Sequence, residues 1–221
     1  EGSDRSGSLR SGEDPEPMTR PTMEDALVAL RESFGYDAFR PGQSMAIESV
    51  LSGRDTLVVL PTGGGKSVCF QIPALVLPGL TVVVSPLISL MKDQVDALEA
   101  KNLPAAFINS TLSSAQVSER LARATRGELR MLYLAPERFD FGNVAARLKE
   151  IGVSLLAIDE AHCISQWGHD FRPSYLRVAE ARKKLGNPPT VALTATATPE
   201  VREDICKQLA LVDPQTIITG F

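Results

Sequence analysis

Thr56-Leu57-Val58-Val59-Leu60-Pro61-Thr62-Gly63-Gly64-Gly65-Lys66-Ser67 decides how this chain is read. An apolar, β-branched run passes without a break into three glycines, a lysine and a serine, and a helical stretch follows. Such a loop lets backbone N–H groups close around phosphate oxygens at a helix N-terminus, with Lys66 reaching the β- and γ-phosphates. Ser67 is then placed to give its hydroxyl to Mg²⁺. The usual pattern has glycine where this chain has Leu60, so the loop is a variant. The plainer alternative is a glycine-rich strand-to-helix turn with an incidental lysine. A strand, three glycines and Lys-Ser in one register favour the phosphate loop.

Outward from that loop, short apolar runs alternate with amphipathic stretches. The spacing predicts strands at Thr56–Leu60, Leu80–Ser85, Ala105–Asn109, Arg130–Ala135, Leu155–Asp159, Thr190–Thr194 and Thr216–Thr219. Most are continuous rather than alternating, as expected of strands covered on both faces. Helices are predicted at Met23–Phe34 and Gln43–Leu51, and from a Ser113–Gln116 capping box to about Arg126. Pro86 and Pro199 are read as first-turn prolines of two more. This alternation predicts an α/β domain with a mostly parallel sheet and helices on both faces.

Composition sets the outer limits. The chain has 221 residues, 43% hydrophobic and 23% charged, which fits one large domain plus a tail. Residues 1–21 hold little to bury and are expected to be a disordered leader, with the folded domain at 22–221. Net charge is −4, but the acidic excess sits in the first 25 residues and the remainder is near neutral, so charge alone decides nothing about nucleic acid. No apolar run is long enough to span a membrane, and the start does not read as a signal peptide. Cys69, Cys163 and Cys206 are too scattered for a disulfide framework and fit a reducing, cytoplasmic setting.

The second chemical signal is Leu155-Leu156-Ala157-Ile158-Asp159-Glu160-Ala161-His162. A strand ending in two acids puts both carboxylates at the C-terminal edge of the sheet, where α/β proteins bind ligands. Asp159 is placed to hold Mg²⁺, and Glu160 to orient and deprotonate an attacking water. Alone, the pair would be read as a solvated turn; beside a phosphate loop it completes a nucleoside triphosphate site.

The phosphate loop, Asp159-Glu160-Ala161-His162 and Ala192-Leu193-Thr194-Ala195-Thr196-Ala197-Thr198 resemble superfamily 2 helicase motifs I, II and III in order. Phe34–Gln43, Val83–Gln94 and Leu134–Arg138 resemble motifs 0, Ia and Ib of the RecQ family of DNA helicases. Ala161-His162-Cys163-Ile164-Ser165-Gln166-Trp167-Gly168-His169-Asp170-Phe171-Arg172-Pro173 is similar to that family's aromatic-rich loop. The resemblance implies a RecA-like P-loop NTPase lobe, the first of two, in a 3′-to-5′ helicase of recombination and repair. It also implies ATP with Mg²⁺, single-stranded DNA and duplex junctions as partners, and a cytoplasmic, nucleoid-associated place. The second lobe, with its arginine-bearing motif, is expected after this stretch, and lobe 1 alone is expected to turn over little ATP.

Residue by residue, the resemblance assigns adenine recognition to Tyr36, Arg40 and Gln43, and a glutamine amide does match the N6 and N7 groups of adenine. It assigns coupling of DNA binding to hydrolysis to His162, Trp167, Phe171 and Arg172, with Thr194 and Thr196 as the relay from His162. Aromatic side chains stack single-stranded bases without regard to sequence; the alternative is Trp167 and Phe171 packed as core. Ser85, Asn109, Thr111 and Arg138 follow predicted strands and are expected to contact the phosphate backbone. A metal held by His162, Cys163 and His169 is set aside, because the spacing matches no common zinc pattern. The Arg120–Arg130 cluster and Lys183-Lys184 are read as solvated charge. A non-catalytic binding module and an RNA helicase remain as alternatives, the Trp167 loop favouring DNA.

Overall fold

The computed structural model describes residues 19–220; most of the expected leader lies outside them. In chain order the elements are α1 (Met23–Phe34), α2 (Pro41–Leu51), β1 (Thr56–Val59), α3 (Val68–Val76), β2 (Leu80–Val84), α4 (Ile88–Glu99), β3 (Ala105–Ile108), α5 (Ser114–Thr125) and β4 (Met131–Leu134). Then come α6 (Val144–Ile151), β5 (Val153–Ile158), α7 (Leu176–Lys184), β6 (Thr190–Thr194), α8 (Pro199–Gln208) and β7 (Gln215–Ile218). All seven strands pair in parallel, in the order β3-β4-β2-β5-β6-β1-β7.

Alternate strand residues feed two cores, as the pleat requires. Leu57, Val59, Val82, Val84, Leu156 and Ile158 pack against α5–α8 on one face. Val58, Leu60, Val83, Leu155 and Ala157 pack against α2–α4 on the other. Helix α1 lies outside that second layer, burying Ala26 and Leu30 with Ile47, Leu51 and Ile72. Strands β1 to β6 are therefore covered twice, which is why they read as unbroken apolar runs, whereas edge strand β7 buries only Ile217.

Caps set several boundaries. Thr22 and Ser113 each close a capping box with Asp25 and Gln116, and Thr198 Oγ1 accepts the Val201 N–H ahead of Pro199. Pro86 is a correction: α4 begins at Ile88, capped by Leu87, so Pro86 shapes the approach rather than the first turn. The Arg120–Arg130 cluster is also less solvated than expected, since Arg120 lies 4.4 Å over the Phe107 ring and donates to its carbonyl.

Candidate active site

The strand order puts β6 between β1, which launches the phosphate loop, and β5, which ends at Asp159. Leu60 N–H donates to the Thr194 carbonyl (3.1 Å), tying the loop's first residue to the end of β6. A cleft of about 620 Å³ opens at this edge, lined by Tyr36, Arg40, Gln43, Thr62, Gly63, Gly65, Lys66, Ser67, Gln94, Asp159 and Glu160 among others. Among the described residues, a hollow of about 710 Å³ lies at the opposite end of the sheet. Its two arginines, Arg20 and Arg130, donate to the carbonyls of Ser52 and Leu77, and it gathers none of the chemistry.

The loop turns on itself: Gly64 N–H donates to the Pro61 carbonyl at 2.8 Å, and Gly63 and Gly65 take φ of 79° and 76°. At Gly65 a side chain is barred twice, by that φ and by Gln43 Nε2, 2.2 Å from where a Cβ would stand. Lys66 Nζ is folded back toward the carbonyls of Leu60 and Pro61 at 3.3 and 3.5 Å, long contacts that a phosphate would readily replace. Leu60, where the common pattern has glycine, is buried in the core beneath Gly42.

Arg40 and Gln43 hold the loop from outside. Arg40 donates to the Gly63 carbonyl (2.7 Å), while Gln43 accepts the Arg40 N–H (3.0 Å) and donates to the Gly65 carbonyl (3.1 Å). The Gln43 amide that would read adenine is thus engaged with the loop itself. Tyr36 stands exposed at the cleft rim.

Asp159 is 7% exposed, and its carboxyl is pushed up to about 6 by burial and then by the Glu160 charge, against relief from the Glu160 N–H and Lys66. Glu160 takes a left-handed conformation, φ 48° and ψ 47°, a strained one for a non-glycine residue. Two contacts hold it there. Asp159 Oδ1 accepts the Glu160 N–H at 2.9 Å, and the buried Tyr175 hydroxyl donates to the Asp159 carbonyl at 2.9 Å.

His162 links this pair to β6. Its Nδ1 lies 2.9 Å from Thr194 Oγ1 and 3.4 Å from Glu160 Oε2. Because Thr194 donates its own proton to the Thr196 carbonyl (3.1 Å), Nδ1 must be the donor. Burial holds the His162 pKa below its ordinary value, so the ring is neutral with its proton on Nδ1.

The loop beyond His162 divides. Trp167 is 77% exposed and Phe171 half-buried, whereas Tyr175 is core; Trp167 as core packing is thereby removed. Arg172 pairs with Asp170 (3.2 Å) and donates to the Pro86 carbonyl (3.4 Å), bridging to the segment before α4. Along the same sheet edge, two expectations need correction. Ser85 is 1% exposed with no partner for its Oγ, and Asn109 is equally buried, its Oδ1 accepting the Thr111 N–H and hydroxyl. Neither side chain faces a passing strand; Thr111 is exposed, and Arg138 reaches the Asn109 carbonyl at 2.7 Å.

Sequence reasoning passed over Gln71 and Gln94, both in the cleft. Gln71 donates to the Tyr133 hydroxyl (3.0 Å), while Gln94 Oε1 is buried without a partner. Only the helical register following Val83–Ser89 could have pointed to Gln94.

Residues 40–205 match the model of the DEAD/DEAH box helicase family. The chain is 54% identical over 198 residues to the ATP-dependent DNA helicase RecQ of Bacillus subtilis, covering 89% of this chain and 34% of that protein. It is 45% identical over 201 residues to the RecQ of Pasteurella multocida, covering 91% and 32%. The chain thus spans about a third of the length of these relatives. Among solved structures, Mycobacterium smegmatis helicase Lhr bound to ssDNA and AMP-PNP superposes with a TM-score of 0.69 at 19% identity, covering 89% of this chain and 28% of that one. The DUF1998 helicase MrfA bound to DNA gives 0.70 at 17%, covering 93% and 30%. These two establish the fold as that of a RecA-like helicase domain. Since the family match runs from the arginine that clamps the phosphate loop through every strand from β1 to β6, the chain belongs to the DEAD/DEAH box helicase family.

Proposed function

We propose that this chain is the ATP-binding lobe of a RecQ-like, ATP-dependent 3′-to-5′ DNA helicase that works in recombination and repair. A second RecA-like lobe would close over the nucleotide, and the setting would be cytoplasmic, on the nucleoid. The observation that carries the reading is the strained Glu160, held beside the phosphate loop and touching the histidine that begins the aromatic-rich loop. In this reading ATP displaces Lys66 from the Leu60 and Pro61 carbonyls, and its adenine is taken by Tyr36, Arg40 and Gln43. The donors near the phosphates suit Mg²⁺: the Ser67 hydroxyl and the Asp159 carboxylate are hard oxygen ligands, and Asp159 is a buried anion short of positive charge. The ion would neutralise charge on the phosphates.

Glu160 then accepts a proton from the attacking water. As it does so, its carboxylate changes charge 3.4 Å from His162 Nδ1, and the shared proton shifts its balance between Glu160 and Thr194. That change reaches the aromatic-rich loop, where Trp167 and Phe171 stack bases, Arg172 steadies the segment before α4, and Thr111 and Arg138 meet the strand's backbone.

The test uses the polypeptide extended through its second lobe. Glu160→Gln should retain Mg-ATP binding while single-stranded-DNA-stimulated hydrolysis falls at least about a hundredfold, the scale of a lost general base. Equal loss of binding and turnover would count against Glu160 as the base. Stimulation by RNA in place of DNA would overturn the substrate.

A further inference from the structure

The His162 ring nitrogen not used in the relay faces a thiol. His162 Nε2 lies 3.8 Å from Cys163 Sγ, which lies 3.7 Å from Asp170 Oδ2, and all three ligand atoms fall within 4.8 Å of one another. A tetrahedral zinc ion, about 2.3 Å from sulfur and about 2.0 Å from nitrogen or oxygen, sets its ligand atoms roughly 3.5 Å apart. The two distances to sulfur therefore stand a few tenths of an ångström from coordinating distance, while the imidazole nitrogen and the carboxylate, within 4.8 Å of each other, would close further on the ion. Their spacing in sequence hides this. A tight turn over Ala161–Ile164, and an Arg172 N–H bond to the Cys163 carbonyl (2.8 Å), fold Asp170 back over the thiol.

The surroundings are those of a ligand histidine. Nδ1–H is committed to Thr194 Oγ1, with the Glu160 carboxylate 3.4 Å away, which fixes the tautomer and leaves the Nε2 lone pair free. Metal-bound histidines are oriented in this way, by an acceptor on the opposite nitrogen. His169 stacks on the His162 ring at 4.9 Å and 11°, walling the cluster from one side.

We propose that His162 Nε2, Cys163 Sγ and Asp170 Oδ2 form a three-ligand site for a divalent cation of the zinc class, with a fourth position left for water. Imidazole, thiolate and carboxylate together select a borderline ion rather than Mg²⁺ or Ca²⁺. On binding, the ion takes the place of the thiol proton, which passes to solvent, and Asp170 exchanges Arg172 for the metal. The bound ion ties the loop carrying Trp167 to the strand end carrying Glu160. The effect on coupling rests on the helicase reading; the binding itself does not.

Titration of the chain with Co²⁺ tests it without any assay of activity. One equivalent should produce a thiolate-to-cobalt charge-transfer band, displaced by Zn²⁺. Cys163→Ser should lose the band, and Cys206→Ser should keep it. Asp170→Asn changes a side chain 44% exposed, which leaves the fold intact, and should weaken binding at least about tenfold while sparing the band. Thr194→Val should weaken it about 10–100-fold through the lost acceptor on Nδ1. Absence of the band in the parent, its survival in Cys163→Ser, or unchanged affinity in Asp170→Asn would overturn the site while leaving the nucleotide reading in place.

Discussion

The two ends of the sheet treat buried charge in opposite ways. At the N-terminal end of β1, Asp55 and Arg182 are 6% and 3% exposed and 2.8 Å apart, with every polar atom employed. Asp55 also accepts N–H groups from Thr190 (3.0 Å) and Val212 (2.8 Å); Arg182 donates to Thr190 Oγ1 and to the carbonyls of Leu209 and Ala210. One ion pair thereby pins α7, β6 and the approach to β7 to the start of β1. At the C-terminal end, Asp159 is as buried as Asp55 but has no cation in contact, Glu160 is strained, and Lys66 rests on weak acceptors. A satisfied pair holds the fold; an unsatisfied one stores free energy that a ligand can release.

Removing charge should therefore act with opposite sign at the two ends. Arg182→Ala strands Asp55 and should destabilise by about 3–5 kcal/mol, read from chemical denaturation midpoints. A loss under about 1 kcal/mol would erase the contrast.

Asp159→Asn should stabilise. The folded carboxyl titrates near 6 against its usual value of 3.8. The fold thus favours the protonated form, and Asp159 costs nothing below about pH 4. As pH rises through 6 the cost grows to about 3 kcal/mol, at about 1.4 kcal/mol per pKa unit. Without divalent ions, the variant should gain up to that amount at pH 8 and almost nothing at pH 4. A gain independent of pH would assign the effect to something other than the buried charge.

The smallest expected effect on stability is at Trp167. An exposed side chain away from caps and core should change stability by no more than about 0.5 kcal/mol on truncation to alanine. On the proposed helicase reading, Trp167→Ala in the polypeptide extended through a second lobe should leave basal ATP hydrolysis nearly unchanged and reduce its stimulation by single-stranded DNA. Parallel loss of both rates with a large drop in melting temperature would remove the coupling role.

How much of this was legible depended on which signal each region left in the chain. Strands β1 to β6 could be read because double coverage writes itself as runs such as Leu155–Ile158, whereas β7, at the sheet edge, left only the short β-branched run Thr216–Thr219. Helices α6 and α7 could not: neither has a side-chain cap, and α7 grows out of a tight turn at Pro173–Tyr175. Arg182 sits beside Lys183-Lys184 and carries no local signal of its burial, its partner lying 127 residues away. Ser85 and Asn109 were misjudged because strand-end hydroxyls and amides look alike whether they face solvent or the core. The left-handed Glu160 and the clamp of Arg40 and Gln43 on the phosphate loop are set by tertiary contacts, for which no local pattern exists.

Whether the phosphate loop is a working site rather than a structural turn is tested most directly by calorimetric titration of Mg-ATP into the parent and Lys66→Ala. Lys66 is half-buried and makes only the long contacts to the Leu60 and Pro61 carbonyls, so its removal should leave the melting temperature within about 2 °C. The predicted result is saturable heat in the parent and none in the folded variant. Equal binding by both would contradict the assignment of the cleft.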